Sequence, residues 1–225
     1  MDWQAIRLSL ALASATTLAL LAIGLPIAAW LAFSRFRLKF LVEAVVALPL
    51  VLPPTVLGFY MLVALGPRSP LGHWYEALTG RLLPFSFTGL LLASVLYSLP
   101  FAVQPFAAAF ASVDRRLIEA SYCLGASRLE TFARVLLPLS LRGVLTGMVL
   151  SFAHTLGEFG VVLMVGGNVP GETRTASIAI YDQVQALDYA AAGETSLLLL
   201  AVSFLVLVVT YGLNRRTFLS WPTGS

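Results

Sequence analysis

SVDRRLIEASYCLGASRLETFARVLLPLSLR, residues Ser112–Arg142, is a polar island in a chain of apolar runs. The full 225 residues hold 14 basic and 11 acidic side chains, and eight of these stand in this one stretch: Asp114, Arg115, Arg116, Glu119, Arg128, Glu130, Arg134 and Arg142. Charge so concentrated must face water. Leu117, Ala120, Ser121 and Leu124 recur at i, i+3, i+4 and i+7, which predicts a helix with one small apolar face, ended by Gly125. Ser127 with Glu130 three residues later has the form of a capping box, satisfying free N–H groups at the start of a second helix. Leu129, Phe132, Ala133, Leu136 and Leu137 would form its apolar stripe, with Glu130 and Arg134 paired at i, i+4, and Pro138, lacking an N–H, would stop it. The expectation is a knob of two short amphipathic helices that suits a partner's groove. Gly125 is its least replaceable residue, because a side chain there strains the joint or blocks docking.

Outward from this knob the composition turns apolar. With 59% hydrophobic and 11% charged residues and a mean hydropathy of +0.88, the chain has too little polar surface for a soluble globule of its size. It reads as an all-α integral membrane protein. The net charge of +3 does not signal nucleic acid, because the basic residues sit at the ends of apolar runs, where bilayer orientation accounts for them. Cys123 is the only cysteine and His73 and His154 are the only histidines, so neither a disulfide nor a metal framework is expected. GxxxxGK[ST] is absent, and any ATP must be hydrolysed by another chain.

Five spans are expected, each near the ~20 residues that cross a hydrocarbon core. Ile6–Phe33 is read as a retained first helix, since its apolar run exceeds the ~7–15 residues of a signal core and Arg35, Arg37 and Lys39 follow it. Phe40–Leu65 is a second span whose Pro49-Leu50-Val51-Leu52-Pro53-Pro54 run bends it, a bend expected to be buried in the bundle. Glu43, near its start, snorkels or pairs with Lys39. Gly66–Phe87 is a loop, Thr88–Ala111 the third span, and Gly143–Gly167 the fourth, with Gly143, Gly147 and Ser151 spaced for close helix approach. Asn168–Glu194 is a polar connection with a short helix near 177–186. Thr195–Tyr211 is the fifth span, closed by Arg215 and Arg216. A sixth span arises if the first run turns back near Pro26 or the short helix enters the bilayer. Placing Ser112–Arg142 in the cytoplasm puts ten of the 14 basic residues inside, with the amino terminus outside and the carboxyl terminus inside.

Glu119-Ala120-Ser121, three residues, Gly125, nine residues, Val135, one residue, Leu137-Pro138 resembles the EAA loop of binding-protein-dependent ABC importer permeases, EAA-x3-G-x9-I-x-LP. The resemblance implies a type I ABC importer transmembrane domain, one permease domain over residues 1–225 with a coupling loop at 112–142. It also implies that Glu119, Ala120, Ser121, Gly125, Leu137 and Pro138 dock into a cleft of a cytoplasmic ATPase dimer. That dimer would bind ATP and Mg, this chain holding no cofactor of its own. A second copy of the chain and an extracytoplasmic binding protein complete the implied assembly.

His154 and Glu158 stand one helical turn apart within the fourth span, where ionisable groups are costly. Glu158, between Gly157 and Gly160, either caps backbone N–H groups where the helix loosens or belongs to a pathway or gate. Leu156-Gly157-Glu158-Phe159-Gly160 and Asn168-Val169-Pro170-Gly171-Glu172-Thr173-Arg174-Thr175 together resemble molybdate transporter permeases, relatives of the sulfate and tungstate permeases. Molybdate is the implied substrate, sulfate or tungstate the alternative, and the binding protein the main selector. Arg174 either steers the anion, contacts the binding protein or pairs with Glu172. A membrane-embedded enzyme is the competing class, and the His154–Glu158 pair is all it has to work with.

Overall fold

The computed structural model describes residues 2–215. Helix α1 (Trp3–Phe33) starts where the Asp2 carboxylate accepts from the N–H groups of Gln4 and Ala5, and it runs unbroken through Pro26. Helices α2 (Lys39–Val51) and α3 (Pro54–Leu65) follow, then α4 (Pro70–Thr79), α5 (Phe87–Ala111) and α6 (Arg115–Cys123). A short α7 (Arg128–Thr131) passes through a π turn (Phe132–Leu136) into α8 (Leu137–Gly157), succeeded by α9 (Gly160–Gly166), α10 (Ala176–Gln185) and α11 (Tyr189–Arg215). Four stretches are long and apolar enough to cross a membrane: Trp3–Phe33, Phe87–Ala111, Arg128–Gly157 and Tyr189–Thr210. The pair α2–α3 makes a fifth when taken as one broken span. Among the described residues no sixth appears, since Pro26 does not turn α1 back and α10 has only 10 residues. Arg216 lies outside the described residues.

Helix α5 is the hub, packing against α1, α2, α3, α8 and α9. Its Ala102, Val103, Phe106 and Phe110 are fully buried and join Leu20 and Ala28 of α1 and Val144 of α8 in the largest apolar cluster. The Gly143/Gly147/Ser151 ridge meets it as expected. A Cβ on Gly147 would lie 2.6 Å from the Phe106 ring, one on Gly143 would collide with Ala109, and Ser151 folds its hydroxyl back to the Gly147 carbonyl at 2.7 Å.

Four expectations are corrected. The second span is broken by 112° rather than bent, because a residue preceding proline is pushed out of the α region. Leu52 and Pro53, each followed by proline, are both extended, with ψ of 136°. The α2 side of the break is exposed on the isolated chain, with Val51 at 82%, while its α3 side packs Pro54 against Gly160 and Gly58 against Met164, so the expected burial holds on one side. The fourth span ends at Gly157: Glu158 is extended (ψ 136°) and α9 is a separate short helix. Pro138 does not stop a helix. Its missing N–H and its ring, which would clash one turn back, fall just after the π turn, whose widened ladder absorbs both and lets Arg128–Gly157 continue as one element of 30 residues. The loop before α5 is likewise not irregular throughout, since Ser69 caps Gly72 N–H at 2.9 Å and starts α4 with Pro70 at its first position. Lys39 and Glu43 pair at 3.3 Å, one of the two readings above.

The α5–α8 seam gives a stability prediction. Gly147→Ala should destabilise the purified protein by about 1–3 kcal/mol, because the fully buried Phe106 ring has nowhere to go. Gly193→Ala, whose Cβ meets nothing within 4 Å, should be neutral or slightly stabilising. Thermal unfolding in detergent of the two variants side by side checks the contrast.

Candidate functional site

Two places gather the residues singled out above. The first is the elbow formed by α6, Gly125 and α7. Asp114 caps α6 by accepting from Arg116 N–H at 2.9 Å. Gly125 takes φ +85°, the left-handed region that lets the chain turn directly into the next helix. The capping box is complete: Ser127 N–H donates to Glu130 at 3.0 Å and Glu130 N–H donates to Ser127 Oγ at 3.2 Å. Glu130 also pairs with Arg134 at 3.9 Å. The Ser127 N–H first, then its hydroxyl, then Arg134 hold the Glu130 carboxyl below the usual glutamate range. Ser121 and Thr131 hydroxyls, 3.0 Å apart, tie α6 to α7.

The apolar faces of this elbow are turned outward. Leu124 is 89% exposed, Leu129 76% and Leu117 49%, and α6 buries no residue at all. Leu124 lies past the last turn of α6 as its C-cap, so the predicted face ends at Ser121. The expected stripe of the second helix divides: Leu136 is buried and Phe132 half-buried against Phe110, while Leu129 and Ala133 face away. Glu119 and Ala120 are exposed, and Ser121 half-buried. Leu137 and Pro138 follow the π turn, at the root of α8.

The second place is a cavity of about 660 Å³ at the two helix breaks, lined by Pro54 and Thr55 of α3, Tyr97 of α5, and His154, Glu158 and Gly160 among others. The breaks touch, since a Cβ on Gly160 would lie 2.7 Å from that of Pro54. His154 stacks on Phe101 at 3.9 Å between centroids, lies 4.8 Å from Tyr97, and shares a hydrogen bond of 2.9 Å between Nδ1 and Ser98 Oγ. Ser98 in turn meets Thr155 at 2.9 Å. Glu158 is 5% exposed, and among the described residues neither carboxyl oxygen meets a donor in hydrogen-bond geometry; the one polar side chain that acts on it, the Ser94 hydroxyl, approaches without closing a bond. The capping bonds expected of Glu158 are therefore not made, although the helix does loosen there. Tyr97, Ser98 and Phe101 were missed by the sequence reading, for a serine and two aromatics in an apolar run carry no signal by themselves.

Arg174 does not line this cavity. Its Nε donates to Asn168 Oδ1 at 2.7 Å, and its guanidinium reaches Asp182 at 3.7 Å and Asp2 at 3.9 Å, not Glu172. Asn168 donates to Asp182 at 2.6 Å, Thr173 Oγ1 to the Gly166 carbonyl at 2.6 Å, and Ala176 N–H to Ser9 Oγ at 2.8 Å. The whole 168–175 stretch is thus a clasp holding the end of α9, the start of α10 and the amino-terminal end of α1 together.

Expected outcomes follow for both places. Gly125→Ala meets no steric obstacle, since nothing lies within 4 Å of the added Cβ. The cost is the left-handed backbone alone, about 1–2 kcal/mol, felt at the elbow and less for Gly125→Asn. Amide exchange on either side of the joint measures it. Because Glu130's folded pKa is lowered, its contribution to the elbow is full above the unfolded glutamate pKa of about 4.3 and lost as pH falls through the folded value. The Ser127 amide NMR shift should titrate in that acid range in the wild type and stay flat in Glu130→Gln. Glu158→Leu removes an unpartnered buried acceptor, so stability in detergent should be unchanged or raised by about 1–3 kcal/mol. Loss of the folded protein in that variant would show that the carboxyl has a partner in the assembly.

With this geometry in hand, comparison with known proteins is specific. The family model described as binding-protein-dependent transport system inner membrane component matches residues 24–218. The chain is 52% identical over 214 residues to the molybdenum transport system permease protein ModB of Azotobacter vinelandii, covering 95% of each. Against ModB of Escherichia coli K12 it is 40% identical over 184 residues, covering 82% of this chain and 80% of that one. In fold it matches a chain of the MetNI methionine ABC transporter, solved in inward-facing conformations, with a TM-score of 0.74 and 19% identity over 96% of this chain and 95% of that one. An all-helical, multi-pass chain with the transmembrane fold of a type I ABC importer and an exposed helical elbow, it belongs to the family of binding-protein-dependent transport system inner membrane components.

Proposed function

We propose that this chain is the permease subunit that passes molybdate across the cytoplasmic membrane, driven by a separate ATPase and supplied by an extracytoplasmic binding protein. The observation that carries the coupling half of this reading is the elbow: Leu117, Leu124 and Leu129 are exposed, on helices fixed by a full capping box, and no part of the described chain covers them. Water-facing leucines held rigidly suit a partner's cleft. An ATPase dimer binding ATP and Mg is that partner, and Glu119, Ala120 and Ser121 with Gly125 are the contact element. The substrate half rests on the relatives named above, with sulfate or tungstate the alternatives.

Two copies of the chain would frame the pathway. The elbow faces the cytoplasm, Gly66–Phe87 and Asn168–Glu194 face outward, and the amino terminus lies outside, the arrangement that best satisfies the bias of basic residues. His154 and Glu158 border the route, and Arg174 acts on it indirectly by fastening the outer ends of α1, α9 and α10.

Cys123, exposed on α6, is a native reporter of this orientation. A membrane-impermeant maleimide should leave it unlabelled in intact cells and label it in inverted vesicles; the reverse pattern would overturn the topology. Deleting the chain should abolish high-affinity molybdate uptake at trace concentration, with rescue by excess molybdate. A deletion strain that loses sulfate uptake and keeps molybdate uptake refutes the substrate assignment and leaves the importer assignment standing.

A further inference from the structure

Between the end of α1 and the elbow the chain leaves a groove of about 760 Å³ with two chemically distinct halves. Its floor is apolar, built from Ala29 and Phe33 of α1 and from Phe132 and Leu136 of the π turn. Its mouth is basic, with Arg35, Arg115 and Arg128 opposed only by Glu119. The side chains of these three arginines make no ion pair or hydrogen bond among the described residues. Trp30, 42% exposed, stands at the edge with its ring 6.3 Å from that of Phe36, the amphipathic aromatic placement of a bilayer boundary.

We propose that this groove binds an anionic phospholipid, an acyl chain lying on the apolar floor and the phosphate under the arginines. Charge complementarity selects the headgroup, since an excess of two positive charges at the mouth would repel a cationic ligand and gain little from a zwitterion. Depth selects a lipid over other anions. A free oxyanion uses the mouth and leaves the floor uncovered. A docked ATPase reaches the elbow but not Ala29, which lies a full turn inside the membrane-crossing length of α1. Lying against both α1 and the π turn, the lipid would brace the elbow against the bundle, so that the coupling element is held by the membrane as well as by the protein. The orientation proposed above makes this the cytoplasmic leaflet, but retention of lipid by the purified complex depends neither on that orientation nor on the substrate.

Native mass spectrometry of the chain purified with its ATPase tests the proposal, with phosphatidylglycerol and phosphatidylethanolamine both present during solubilisation. Phosphatidylglycerol should be retained. Arg35→Gln, which lies outside the elbow, should lower its occupancy about fivefold, and Arg35→Gln with Arg128→Gln about 25-fold, at roughly fivefold per arginine. Phosphatidylethanolamine should not change. Ala29→Trp, which fills the floor without altering charge, should displace the same lipid. Each variant is judged only on the fraction that elutes as the intact complex and hydrolyses ATP. Undiminished phosphatidylglycerol in the double variant, equal retention of phosphatidylethanolamine, or displacement by inorganic phosphate at millimolar concentration would overturn the proposal. So would a photo-reactive residue at Trp30 that cross-links to the ATPase or to a second copy in place of lipid.

Discussion

A backbone inside hydrocarbon must satisfy its own N–H and C=O groups, and every irregularity in this chain is governed by that demand. The ladder is interrupted at Leu52–Pro53, through Phe132–Leu136 and at Glu158–Phe159. Two of these interruptions lie against each other, with Gly160 close enough to Pro54 that a side chain would not fit between them. Packing α3 on α9 brings the loosened ends together and opens the one cavity in which the ionisable pair of the fourth span is found. Broken helices are tolerated at membrane depth where they line such a space, and the prolines and glycines that break them are here its walls.

The third interruption has a different consequence. By widening one turn, the π segment lets a proline pass without ending the helix, so the element that begins at the elbow continues to Gly157. Thirty residues at 1.5 Å each make a rod of roughly 45 Å from the capping box to the cavity. Its far half is locked to α5 by the glycine ridge, and its near end is tied to α6 by the Ser121–Thr131 hydrogen bond and to the bundle by the Phe110–Phe132 contact, the buried Leu136 and the Ser140 hydroxyl on the Ala109 carbonyl. One helix therefore joins the elbow to His154, with the π turn as the one irregular turn in its ladder.

Much of this was legible from side-chain pattern alone. Ser127 and Glu130 announced a capping box because its chemistry is local, and Gly143/Gly147 announced a close approach because small residues at four-residue spacing have few other uses. What the pattern could not reveal depended on geometry several turns away. Pro138 reads as a stop by every local rule, and only the preceding π turn reverses that. The Pro49–Pro54 run foretells a bend but not its 112°, which arises from two successive extended residues. Arg174 looked free or paired with its near neighbour Glu172; its partners Asp2 and Asp182 become neighbours only when α1, α10 and the 168–175 turn are assembled. The fully buried state of Glu158 was foreseeable from its place in an apolar run, its lack of any hydrogen-bond partner was not.

The chemistry of the cavity bears on how an anion would cross. Neither arginine nor lysine lines it; its polar groups are the Thr55 and Tyr97 hydroxyls, the imidazole of His154 and the carboxyl of Glu158. A wall of this kind offers hydrogen bonds but no fixed cation, and an ionised Glu158 would repel a dianion outright. Tight binding of an oxyanion here is therefore not supported by the chain, and for a conduit that is an advantage, because an ion held by buried arginines would leave slowly. Arg174, outside the cavity, is already engaged by two carboxylates and an amide, so its charge is largely neutralised by its own fold. Strong selectivity for an anion is then not built into this cavity, whose wall is a set of hydroxyls, one imidazole and one carboxyl at the end of a 30-residue helix.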